Sequence, residues 1–167
     1  SLRRDWQLGT IQLDFSMPER FELEYVGSDS KIHRPVMIHR AIFGSFERFV
    51  GVLTEHYAGY FPLWLAPVQV NVLPIADSHK EYAKSIFDKL RKAGLRVKID
   101  NRSEKVGYKI RESENKKIPF MIVVGDKEIE ENNISVREHL KGDIGKFELN
   151  EFIENVKLQS TKRDNYN

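Results

Sequence analysis

From Val68 onward, short apolar runs alternate with stretches of helical period, and a chain written this way layers helices on a sheet. Residues 68–73 read as an apolar strand. Residues 78–93 read as a helix whose Tyr82, Ala83, Ile86, Phe87 and Leu90 form one apolar stripe, with Ser78 and Glu81 at capping-box spacing and Gly94 at its stop. A strand over 95–99, a helix over 105–115, a strand over 120–124 behind Pro119 and a strand over 134–137 continue the alternation. Gly125-Asp126 reads as a turn, and a last helix carries Leu149, Phe152, Ile153 and Val156 on one face.

Before Val68 the pattern differs. Residues 10–15 and 21–26 alternate polar and apolar side chains, as half-buried strands do, and residues 16–20 connect them. A third strand is expected over 35–39. The period then becomes helical, with Phe46, Phe49, Val50, Leu53 and Tyr57 on a core-facing stripe, Ser45 as N-cap and Gly59 past the last turn. Between the two patterns lies 59–67, where Gly59, Pro62 and Pro67 interrupt regular structure and Tyr60, Phe61 and Trp64 favour burial over a floppy tether. This places a domain boundary near Pro67, giving domains 1–66 and 67–167, with the seam packed between them.

The 167 residues hold 27 Lys and Arg against 25 Asp and Glu, so the average charge of +2 demands neither a nucleic-acid nor a membrane partner. Charge is uneven, however. Residues 91–117 carry ten basic and four acidic side chains, a local +6, which is either a solvated face or a phosphate-binding surface. With no cysteine, a disulfide framework and thiolate metal sites are excluded within these residues, which fits a reducing, cytoplasmic setting. No apolar run approaches the roughly 20 residues of a membrane helix, and no secretory leader pattern opens the chain, so a soluble protein with no membrane partner is expected. Walker loops, dinucleotide glycine fingerprints and nucleophile elbows are absent.

Two stretches carry a resemblance. Residues 6–15 (WQLGTIQLDF) and 34–49 (RPVMIHRAIFGSFERF) resemble the end of the catalytic domain of bacterial threonyl-tRNA synthetases, and Gly44-Ser45-Phe46-Glu47-Arg48 resembles motif 3 of class II synthetases. Trp64-Leu65-Ala66-Pro67-Val68-Gln69-Val70 is similar to the family's lead into its anticodon-binding domain, and the likeness continues through Gly125-Asp126-Lys127-Glu128 and Val136-Arg137. The His-Arg-Ala-Ile ahead of motif 3 sets it apart from prolyl, glycyl and histidyl relatives. The resemblance implies an α/β fold: part of the class II antiparallel sheet with its motif 3 helix, then an α/β anticodon-binding domain with a mixed sheet flanked by helices. It also implies a ligase that forms threonyl-adenylate from threonine and Mg-ATP and passes the threonyl group to tRNA(Thr), homodimeric at full length. Motifs 1 and 2, two zinc ligands and any editing domain should precede Ser1, so these residues alone are expected to be inactive.

By the same resemblance, Arg48 binds ATP, and an anionic ligand explains a cation in a helix's first turn better than the helix dipole does. Ser45 stands beside it as a substrate contact or a plain N-cap. Gln7, Thr10 and Gln12 would orient the amino acid and the nucleotide, the alternative being polar positions on an outer sheet face. His39, which on sequence alone reads as a structural hydrogen-bonder, matches the family's third zinc ligand; one ligand of three should not hold zinc tightly here. His33, His56, His79 and His139 are assigned surface or packing roles. Glu128 and Arg137 match base-reading positions, with a cross-strand salt bridge as the alternative. Lys105, Arg111 and Lys127 match positions near the same RNA surface, and Ser103 stands where relatives often have asparagine. A rival reading is a synthetase-like accessory module that binds RNA without catalysis, and the retention of Gln7, Gln12, His39 and Arg48 argues against it.

Overall fold

The computed structural model describes residues 5–163, which fall into two compact units, Ser1–Ala58 and Gly59–Asn167. In the first unit, β1 (Thr10–Asp14) pairs antiparallel with β4 (Met37–Ala41), and β2 (Tyr25–Val26) and β3 (Ile32–His33), two residues each, form a hairpin across residues 27–31. Residues 16–20, expected as a connection, form a short helix α1 (Ser16–Arg20), because Asp14 Oδ1 accepts from Ser16 N and Met17 N and Pro18 is tolerated in a first turn. The strand expected over 21–26 is correspondingly shortened to Tyr25–Val26. Its first residues are spent closing α1, with Leu23 N donating to Pro18 O and Glu22 at φ +51°.

Helix α2 (Phe46–His56) forms behind Ser45, whose Oγ accepts from Arg48 N at 3.2 Å. It is not the core helix its stripe suggests. None of its residues is buried, Phe46 is 78% exposed, and Pro18 is the one buried residue among those described in this unit. A two-stranded ladder, a hairpin and one long helix offer too little second layer to cover the apolar faces they present.

The second unit is a five-stranded mixed sheet, ordered β6-β5-β7-β8-β9. The strands are β5 (Val70–Pro74), β6 (Val97–Ile99), β7 (Phe120–Val124), β8 (Ile134–Glu138) and β9 (Gly142–Phe147). β5 runs parallel to β6 and β7, whereas β8 is antiparallel to β7 and β9. One face packs on α3 (Lys80–Lys92) and α6 (Leu149–Lys162): Val70, Val72, Ile122 and Val136 meet Ala83, Ile86 and Leu90 of α3 and Phe152, Ile153 and Val156 of α6, all under 8% exposed. Alternation along β5 sends Asn71 to the other face, where its Nδ2 donates to Ser113 Oγ of α4 (Val106–Asn115) at 2.8 Å.

Four details depart from the sequence reading. The Ser78–Glu81 box does not start α3: a 3₁₀ turn over Asp77–His79 precedes it, and buried His79 uses Nδ1 to accept from Ala76 N. Gly125-Asp126 opens a helix, α5 (Asp126–Glu130), too short to show a period. β9 went unread because Gly142 and Gly145 sit at φ +83° and +104° and look like loop glycines. The division between units falls at Ala58/Gly59, and 59–66 joins the second unit, where Leu63 and Ala66 are buried. The carbonyls of this proline-broken segment are gathered by Arg96, whose Nε donates to Ala66 O at 2.7 Å and whose Nη2 donates to Trp64 O and Leu63 O.

Candidate functional site

In the first unit, the register of β1 against β4 sets Gln12 directly opposite His39. Cross-strand partners share a face, so the amide and the imidazole lie side by side. Asp14, two residues on along the same face, reaches diagonally to His39, its Oδ2 lying 2.9 Å from Nε2. Bonds from Met17 N and then from His39 hold the Asp14 carboxyl below the usual carboxylate range. With Nε2 occupied by a carboxylate, His39 Nδ1 is the ring nitrogen left open to a ligand. Asp14 escaped the sequence reading, although its two-residue spacing from Gln12 was the available signal.

Thr10 opens β1 on the same alternation as Gln12, whereas Gln7 precedes the strand. Gly44 turns the chain at φ +69° between β4 and α2. Arg48 is exposed in the first turn of α2 and makes no ion pair among the described residues. Ser45 is an N-cap in this structure.

In the second unit, a hollow of about 330 Å³ opens at the carboxyl ends of the parallel strands β5 and β6, with Asp77, Lys80, Ser103, Lys105 and Lys109 in its lining. Lys105 is the exposed N-cap of α4. Tyr108, one turn on, is 49% exposed, with the Arg102 guanidinium 5.9 Å from its ring. Lys109 is 2% exposed, and its Nζ donates to Pro74 O and Asp100 O, pinning the ends of both strands; burial pushes the ammonium down. Tyr108 was not singled out from sequence, and Lys109 was counted there only among the basic residues of 91–117.

The basic stretch 91–117 therefore resolves into several roles. Arg96 and Lys109 hold backbone carbonyls, Arg102 is bonded to Asp100 and Glu112, and Lys116 is paired with Glu112. Lys105 and Arg111 are exposed and make no ion pair among the described residues, and the same is true of Lys127 on α5.

Glu128 and Arg137 form no salt bridge. Glu128 is 8% exposed and spends both oxygens locally, Oε2 accepting from Gly125 N at 2.8 Å and Oε1 from Ser135 Oγ at 2.7 Å. Arg137, on the same strand face as Ser135, is half-buried with an Nε that is out of contact with solvent and has no partner. A buried N–H donor without an acceptor is costly, and an incoming acceptor relieves that cost.

Residues 69–159 match the model of the anticodon binding domain, more than half of the chain. The chain belongs to the anticodon-binding-domain family. Residues 1–57 match the class II core domain of the G, H, P, S and T tRNA synthetases, so the anticodon-binding domain follows a piece of synthetase core that includes β1, β4 and α2. The threonine--tRNA ligase of Caldanaerobacter subterraneus subsp. tengcongensis is 58% identical over 156 residues, 93% of this chain and 24% of that protein. That of Clostridium acetobutylicum is 61% identical over 150 residues, 90% of this chain and 24% of that protein. The chain thus spans about a quarter of the length of these relatives. The crystal structure of the RNA binding domain of threonyl-tRNA synthetase from Cryptosporidium parvum Iowa II superposes with a TM-score of 0.80 at 37% identity, covering 95% of this chain and 40% of that one. No helix among the described residues is long and apolar enough to cross a membrane.

Proposed function

We propose that this chain is the C-terminal portion of a threonine--tRNA ligase, in which Gly59–Asn167 reads the anticodon of tRNA(Thr) and Ser1–Ala58 supplies motif 3 and one wall of the threonine and ATP site. The observation that carries the reading is the likeness to threonine--tRNA ligases along 93% of the chain, through both the core piece and the anticodon-binding domain. An accessory RNA-binding module would have no use for Gln12 and His39 side by side or for an unpaired Arg48.

In this reading Arg48 offers its planar cation to ATP as Mg-ATP, while Gln7, Thr10 and Gln12 orient threonine and nucleotide with neutral donors and acceptors. His39 would contribute one zinc ligand through Nδ1, with Asp14 fixing its ring. Held by His39 and the remaining ligands, a zinc ion would supply a Lewis-acid position suited to the amino and hydroxyl groups of threonine and unavailable to valine. Glu128 shapes the α5–β8 corner beside Arg137, whose unpaired donor awaits a base edge. Lys105, Arg111 and Lys127 neutralise phosphates, and Tyr108 offers an exposed ring for stacking. A cytoplasmic homodimer follows from the same reading.

The test is His39→Ala in the full-length ligase. Zinc content and the preference for threonine over valine in pyrophosphate exchange should fall together. A variant with full zinc occupancy and unchanged discrimination would refute the metal assignment.

A further inference from the structure

A second and larger cleft, about 660 Å³, lies in the anticodon-binding domain between α4, the edge strand β6 and residues 59–68. Phe61, Val68, Ile99 and Ile118 give it apolar walls, and all of its lining belongs to residues 59–118. In its lining stands Asn71, 8% exposed, with Oδ1 buried and lacking any partner. The amide cannot turn round to cure this. Ser113 Oγ gives its one proton to Lys109 O at 2.8 Å, so it can only accept from Asn71, which fixes Nδ2 toward Ser113 and leaves Oδ1 as the orphan.

An orphaned acceptor calls for a ligand that donates N–H or O–H, which a bare anion does not. The remaining lining is cationic on balance, with Lys98, Arg102, Lys116 and Lys117 against Asp100 and Glu112. Lys98 is opposite Asn71 in the β5/β6 register, hence on the same face, and is exposed without an ion pair among the described residues. The cleft therefore combines a fixed acceptor, apolar wall segments, a small-molecule-sized volume and an uncommitted cation.

We infer that this cleft binds a nucleoside monophosphate, the amino or imino edge of its base donating to Asn71 Oδ1 and its phosphate meeting Lys98. The site lies wholly outside the unit that carries Arg48, so it is separate from the ATP contact proposed there. It shares Arg102 with the hollow that holds Lys105, but neither Asn71 nor Lys98 lines that hollow, so the contacts the inference rests on are not those of the anticodon reading.

The ¹⁵N-labelled chain is titrated separately with AMP, CMP, GMP, UMP, ribose 5-phosphate and inorganic phosphate, following the amides of 98–102 and 113–118. At least one nucleotide should shift these amides saturably and bind about tenfold more tightly than ribose 5-phosphate. Lys98→Glu should weaken that binding by about fivefold or more, and Asn71→Leu should abolish the preference over ribose 5-phosphate. Lys98 is exposed, so its variant keeps the test decisive if Asn71→Leu unfolds. The inference is overturned if no nucleotide gives a saturable shift, or if the sugar phosphate and phosphate bind as well as the nucleotides, which marks an anion site only. It is equally overturned if a folded Asn71→Leu keeps the base preference, or if Lys98→Glu leaves nucleotide affinity unchanged.

Discussion

Glu128 shows how a residue's chemistry and its structural work can coincide. Its carboxylate caps α5 at Gly125 N and accepts a hydrogen bond from the Ser135 hydroxyl, so it fixes the corner from which Arg137 projects. Glu128→Ala should cost about 2–3 kcal/mol of unfolding free energy, because one buried donor loses its partner and a short helix loses its cap. Denaturant unfolding of the chain checks this, and a change within ±0.5 kcal/mol would show that the corner is held by other contacts. The sequence led to this position through family likeness alone. The cross-strand salt bridge given as the alternative for Glu128 and Arg137 does not form, because a carboxylate seven residues before Ser135 finds a nearer neutral partner in its own corner. Asp14 was legible in principle, one strand period beyond Gln12, but a carboxylate at a strand end attracts a capping explanation first, and Asp14 does both jobs.

Elements with a long apolar period, α3 and α6, and strands made of continuous apolar residues, β5 and β7, were readable because burial on one side or both leaves a periodic signature. The loop from β6 into α4 was not, since its order comes from charges. Asp100, Arg102, Glu112 and Lys116 form a chain of ion pairs across that loop. The Asp100 carboxyl is held below the usual range by Arg102, and that of Glu112 by Lys116 and then Arg102. Folded-state values below the unfolded ones mean that this stabilisation is present above the ordinary carboxylate range and is lost as the pH falls through the lowered values. Arg102→Ala should therefore be measurably less stable than wild type at neutral pH, with the gap closing as the pH drops below the carboxylate range. Unfolding curves at neutral and acidic pH measure it; an equal deficit at both would mean that Arg102 acts through packing on Tyr108.

At the scale of the whole molecule, the two units differ in how much of their own apolar surface they cover. Gly59–Asn167 owns a buried core on one sheet face and an ordered helix on the other, whereas Ser1–Ala58 leaves Ile11, Leu13, Ile38 and Phe46 more than half exposed. Native-state hydrogen exchange on this chain should find slow amides in β5, β7, β8 and α3 and none of comparable protection in β1, β4 or α2. Equal protection in both units would contradict this picture of the core. The second unit is thus equipped to act alone, and in the proposed function its task is RNA reading. The most direct measurement is binding of the chain to the anticodon stem-loop of tRNA(Thr) and to a scrambled loop at several salt concentrations, for wild type, Lys105→Ala and Arg137→Ala. Wild type should prefer the cognate loop, Lys105→Ala should weaken both loops alike and reduce the salt slope by about one, and Arg137→Ala should lose about 1–3 kcal/mol on the cognate loop and most of the preference. Binding of cognate and scrambled loops by Arg137→Ala with wild-type selectivity would contradict the account.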